Sequence, residues 1–95
     1  MIHFEWDENK NSLNRKNHGI WFEEAQQVFD DPSALRFFDP THSDDEDRFL
    51  LLGRSNPNRV LIVVFCERGT NGATIRIVSA RKATQKEVRQ YEKGI

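Results

Sequence analysis

Ile2, Phe4 and Trp6 occupy one side of a period-two pattern at the start of the chain, with His3 and Glu5 on the other, which predicts a strand with one buried face. Asp7 is suited to cap a helix. The polar, Asn-rich stretch from Asp7 to His18 predicts that helix, with Leu13 as its main apolar contact and Gly19 as its C-terminal stop. Phe22, Ala25, Val28 and Phe29 then recur at helical spacing, and Asp31-Pro32 ends the short second helix they predict. Leu35 to Phe38 reads as a short strand. Asp39 to Asp47 (DPTHSDDED) is too charged to bury and carries turn chemistry at Asp39-Pro40 and Ser43-Asp44.

Apolar density rises after this connection. Arg48 to Ser55 and Arg59 to Glu67 flank Asn56-Pro57-Asn58, a hairpin pattern. Val60 to Cys66 is apolar on both faces, which places it in the middle of a sheet covered on both sides. A turn at Gly69 to Gly72 leads to a last strand, Thr74 to Ala80. Thr84 and Glu87 then form a capping box that opens a helix through Tyr91, with Val88, Tyr91 and Ile95 facing inward. The order is β-α-α-β-β-β-β-α, and the expected architecture is α+β: an antiparallel sheet with helices packed against it.

Ninety-five residues, 37% hydrophobic and 31% charged, make one small domain spanning 1–95, without room for a large ligand cavity. No apolar run approaches the roughly 18 residues that cross a bilayer, so a cytoplasmic protein with no membrane partner is expected. Cys66 is the only cysteine, which excludes an intrachain disulfide and a thiolate metal cluster. It reads as a small buried hydrophobe.

The net charge of −1 conceals a division. Residues 1–47 hold four Lys/Arg against twelve Asp/Glu, a net −8, whereas residues 48–95 hold ten against three, a net +7. The basic half can attract a polyanion locally, or the two halves can neutralise each other across the fold. Arg76 interrupts an otherwise apolar strand with Ile75 and Ile77 on the opposite side, so its guanidinium is expected on the face carrying Val78 and Ala80. Arg68 lies across a short turn. Arg81, Lys82 and Thr84 sit where a strand meets a helix N-terminus, a setting that favours an anion. Together these groups point to phosphate, although each arginine alone is compatible with a surface ion pair.

A second cluster runs from His42 to Arg48. His42 beside carboxylates and Arg48 could move a proton or hold a substrate hydroxyl. The acids match no calcium-loop spacing, so no metal is expected. His18 suits either a helix C-terminus or acid–base chemistry. Trp6 and Trp21 could stack on bases but also fit core spacing.

Phe4-Glu5-Trp6-Asp7, Asn14 with His18-Gly19-Ile20, Phe22-Glu23-Glu24-Ala25, Val28-Phe29-Asp30-Asp31-Pro32, His42-Ser43, Glu67-Arg68-Gly69 and Ser79-Ala80-Arg81-Lys82-Ala83-Thr84 together resemble the BrnT family of bacterial toxins. The resemblance runs from Phe4 to Tyr91, and the last run is its most specific part. It implies a RelE-like fold, ribonuclease activity within a type II toxin-antitoxin system, and neutralisation by a BrnA-type antitoxin. Operator DNA would be bound only through the antitoxin complex. On that reading RNA is cleaved without metal or other cofactor by attack of its own 2′-hydroxyl. Arg68, Arg76 and Arg81 would stabilise charge, with Lys82, Thr84 and Arg48 holding substrate and His42, Glu67 or His18 moving protons. The competing expectation is a non-catalytic basic module that docks an acidic protein or nucleic acid.

Overall fold

The computed structural model describes residues 2–42 and 46–94, apart from the side chain of His42. The expected turn at Ser43-Asp44 and the inward position of Ile95 lie outside them. Five strands, β1 (His3–Glu5), β2 (Leu35–Asp39), β3 (Arg48–Arg54), β4 (Val60–Arg68) and β5 (Thr74–Lys82), form one sheet in the order β1-β5-β4-β3-β2. Three helices, α1 (Glu8–His18), α2 (Phe22–Gln27) and α3 (Gln85–Lys93), complete the expected order. No helix is long and apolar enough to cross a membrane.

β4 is central because its residues are apolar on both faces. Leu61, Val63 and Phe65 join Leu51, Ile75, Ile77 and Ala80 beneath Ile20, Phe22, Ala25 and Val28 from the α1–α2 layer. On the opposite face Leu52 and Ile62 pack with Tyr91 of α3. Each helix layer therefore buries one set of alternating strand residues.

The sheet is mixed rather than wholly antiparallel, because β1 runs parallel to β5 with Phe4 opposite Ile75 and Glu5 opposite Arg76. β1 has no hairpin to fix its direction. Running parallel sends the chain from Trp6 toward the Ala80 end of β5, where α1 takes over the exposed strand edge. The Asn14 side chain accepts from the Ala80 N–H at 3.1 Å and donates to the Ala80 carbonyl at 2.9 Å, as a neighbouring strand would. The same amide donates to the Ile20 carbonyl at 2.8 Å.

Asn11 plays a related part. Its oxygen accepts from the Phe22 N–H at 2.7 Å, supplying the first turn of α2 with the cap that Trp21 does not give. The buried positions of α1 are therefore Asn11 and Asn14, while Leu13, the expected apolar contact, is 55% exposed. Ile2 is also exposed rather than part of a buried strand face.

The end helix follows its sequence signals closely. Thr84 and Glu87 form the reciprocal capping box, and the Tyr91 hydroxyl donates to Asp31 Oδ2 at 2.6 Å. That bond ties α3 to the segment that precedes β2.

Candidate functional site

Pairing register places one row of side chains across all five strands. Glu5 lies opposite Arg76, Arg76 opposite Cys66, Cys66 opposite Arg48, and Arg48 opposite Asp39. Paired residues share a face, so these groups form a band with a thiol at its centre, an arginine on either side of it and a carboxylate at each end. α3 packs farther along this face, over Leu52 and Ile62, and leaves the band beyond its apolar contacts. Strands about 4.8 Å apart put Arg76 and Arg48 about 10 Å from each other.

Arg68 joins the band from the end of β4. Arg76 Nη1 donates to Glu5 Oε2 at 2.8 Å, and Arg68 Nη1 lies 4.0 Å from the same oxygen. Arg68 also donates from Nε and Nη2 to the two Glu46 oxygens at 3.0 and 2.8 Å. The Arg68 guanidinium chiefly holds the Glu46 carboxyl below its ordinary range against opposing desolvation. Burial, followed by the charge of Glu46, pushes the Cys66 thiol up, so the centre of the band is a neutral thiol. The site offers guanidinium donors, and those of Arg68 and Arg76 already face internal carboxylates. Chemically it fits an anion that exchanges with those carboxylates.

The remaining expected site residues are distributed differently. Arg81 is on the same face as Arg76 but five residues along β5, about 16 Å at strand rise. Its Nη1 and Nη2 donate to the two Glu87 oxygens at 2.8 and 3.0 Å. Glu87 Oε1 also accepts from the Thr84 N–H at 2.8 Å, so the anion at this helix N-terminus is Glu87 itself. Arg81 first, with the Thr84 contacts, overcomes desolvation to bring the Glu87 carboxyl down to about 2. Lys82 pairs with Leu61 on the α1–α2 side and adds to the Arg59 and Ser55 contacts that hold Glu24 ionised against desolvation.

Glu67 also faces away from Arg76. It pairs with Arg36 at 2.7 Å, while the Arg36 guanidinium covers the rings of Phe49 and Phe65 at 4.1 and 5.5 Å. His18 lines a shallow cavity of ≈ 190 Å³ with Asn14, Val78 and Ser79 at the β5 edge. The side chain of His42 lies outside the described residues. Among those described, no cluster of three His, Cys, Asp or Glu is arranged to hold a metal.

A β-bulge explains one discrepancy. Val64 pairs with Ser79 but Phe65 with Ile77, leaving Val78 as an extra residue. Strand parity reverses there, so Ala80 joins the core face with Ile75 and Ile77 instead of sharing the Arg76 face. Residue chemistry alone assigns Glu5 and Cys66 no role at this site, and Glu46 enters only as one acid of the His42–Arg48 cluster. Alternation did place Glu5 on a polar strand face; its neighbour across the strands was the absent information.

The family model described as "Ribonuclease toxin, BrnT, of type II toxin-antitoxin system" matches residues 6–87. No curated protein matches the chain. Among solved structures, the Brucella abortus ribonuclease toxin BrnT is similar with 26% identity and a TM-score of 0.66, covering 90% of this chain and all of the other. A match across most of the chain, joined by agreement in fold, shows that this protein belongs to the BrnT family of ribonuclease toxins of type II toxin-antitoxin systems.

Proposed function

We propose that the protein is an endoribonuclease whose open sheet face binds an RNA phosphate and cleaves the chain by attack of the adjacent 2′-hydroxyl. The observation that carries this reading is the approach of Arg68 and Arg76 to one carboxylate, at 4.0 and 2.8 Å, with Arg48 on the same face. A phosphate can stand where that carboxylate receives Arg76 and draw Arg68 from Glu46 to a common acceptor. Arg68 and Arg76 then stabilise the charge added at phosphorus, and Arg48 holds the neighbouring backbone. Arg81 acts indirectly by fixing α3 through Glu87, with Thr84 completing that cap. Lys82 and His18 belong to flanking surface, and His42 remains a proton-transfer candidate on the connection before β3.

Attack by the 2′-oxygen yields a 2′,3′-cyclic phosphate and a 5′-hydroxyl, and it requires alignment, charge stabilisation and proton movement rather than a metal. An antitoxin of the BrnA type would neutralise the toxin by covering the Arg68–Arg76 face. Operator DNA would be engaged by the antitoxin within that complex.

The experiment is RNA cleavage by purified protein in chelator, including ribosome-bound message, with analysis of the new ends. Cyclic phosphate and 5′-hydroxyl ends are expected, and folded Arg76→Ala should lose about 10²–10³ in rate. Undiminished cleavage by Arg76→Ala would reject its role. Absence of cleavage by the native protein on every substrate would favour a non-catalytic binding module, whose arginines are already neutralised by neighbouring acids.

A further inference from the structure

Glu5 occupies a position that neither a phosphate ligand nor a remote ion-pair partner explains. Its side chain is 41% exposed, Arg76 donates to it at 2.8 Å, and Arg68 approaches to 4.0 Å. A linkage held by both guanidiniums must lie beside this carboxylate, which brings the attached ribose within reach. Two anions cannot share the donors without repulsion. A carboxylate next to increasing negative charge is stabilised by taking up a proton, and the 2′-hydroxyl has one to give.

Building on RNA cleavage at this face, we propose that Glu5 is the general base of the reaction. The 2′-oxygen bonds to phosphorus as its proton passes to a Glu5 oxygen. The bond between phosphorus and the 5′-oxygen breaks, and that oxygen takes a proton from solvent. Glu5 returns its proton to solvent, leaving the protein unchanged.

The surrounding charges distinguish Glu5 from other acids. Arg76 faces it from β5, Arg68 from β4, Glu46 stands behind Arg68, and His3 precedes it on the same strand face. Glu46 is held by two bonds from Arg68, whereas Glu67 is on the other side of the sheet with Arg36. Among the described carboxylates with ion pairs, Glu5 alone meets both Arg68 and Arg76.

The test measures single-turnover cleavage from acid to neutral pH for native protein, Glu5→Gln and Glu5→Asp, with binding measured on 2′-O-methyl RNA. Glu5→Gln should cleave about 10²–10⁴ more slowly, lose the rise in rate from acid to neutral pH, and still bind RNA. Glu5→Asp should keep the rise at a reduced rate. A native rate or an unaltered pH profile in folded Glu5→Gln would overturn the assignment while RNA cleavage stands. If Glu5→Gln does not fold, Glu5→Asp decides: reduced cleavage with the rise retained supports the base, and an unchanged rate overturns it. No cleavage by the native protein would instead overturn the nuclease reading together with the base.

Discussion

A glycine in β3 shows how little space separates the strand from the segment above it. A Cβ built at Gly53 would lie 2.7 Å from Val28 Cγ1 and 2.9 Å from Ala34 Cβ. Neither atom is at the end of a long flexible chain. Gly53→Ala should therefore destabilise the fold by about 1–3 kcal/mol through overpacking, read as a lower urea midpoint. Glu87 makes a different prediction. Its carboxyl is brought from the ordinary 4.5 to about 2, so its ionised contacts stabilise the native state above about 4.5 and are lost as pH falls toward about 2. Partial exposure of Arg81 reduces the effect to about 1–2 kcal/mol. Glu87→Gln should be less stable than the native chain at neutral pH, with the difference narrowing in acid; a constant difference in urea unfolding would contradict the linkage. At this scale the Thr84–Glu87 box was legible because both partners lie within one helical turn. Arg81 was not assignable to Glu87 by that motif, since its reach depends on how the strand enters the helix.

Strong apolar patterning makes an element legible in the sequence. β4 announces itself by apolar residues on both faces, and α2 by Phe22 and Ala25, continued by Val28 in the 3-10 turn that follows it, all three fully buried. α1 is the instructive exception, because the contacts that seat it are polar. Asn14 replaces a strand at the β5 edge and leaves its two Ala80 backbone partners unsatisfied if removed. Asn14→Ala should cost about 2–4 kcal/mol in chemical unfolding, whereas Leu13→Ala on the exposed side should stay within about 0.5. Equal losses at the two positions would contradict the edge-capping account. Hydrophobic periodicity has no means of reporting such a helix. Nor does it reveal the β1–β5 pairing, which is nonlocal and joins residues about seventy positions apart, or the Val78 bulge that reverses the side-chain faces.

Across the molecule, the acidic and basic halves are joined by the fold. Arg59 pairs with Glu24, Arg68 with Glu46, Arg76 with Glu5, and Arg36 with Glu67. On the proposed reading, mutual neutralisation and phosphate binding are two states of the same arginines, exchanged when an external anion displaces an internal one. The sequence division marked the supply of cations, but register decided which of them share a face. Arg48, Arg68 and Arg76 gather at one end of it, while Arg81, farther along the same face, is engaged at α3. The most direct measurement is NMR of the arginine side-chain Nε–Hε groups while native protein is titrated with 2′-O-methyl RNA. Signals of Arg48, Arg68 and Arg76 should shift together and saturate at one RNA concentration, with Arg81 little changed. Shifts concentrated at Arg81 and α3, with Arg68 and Arg76 unmoved by saturating RNA, would contradict the proposed face.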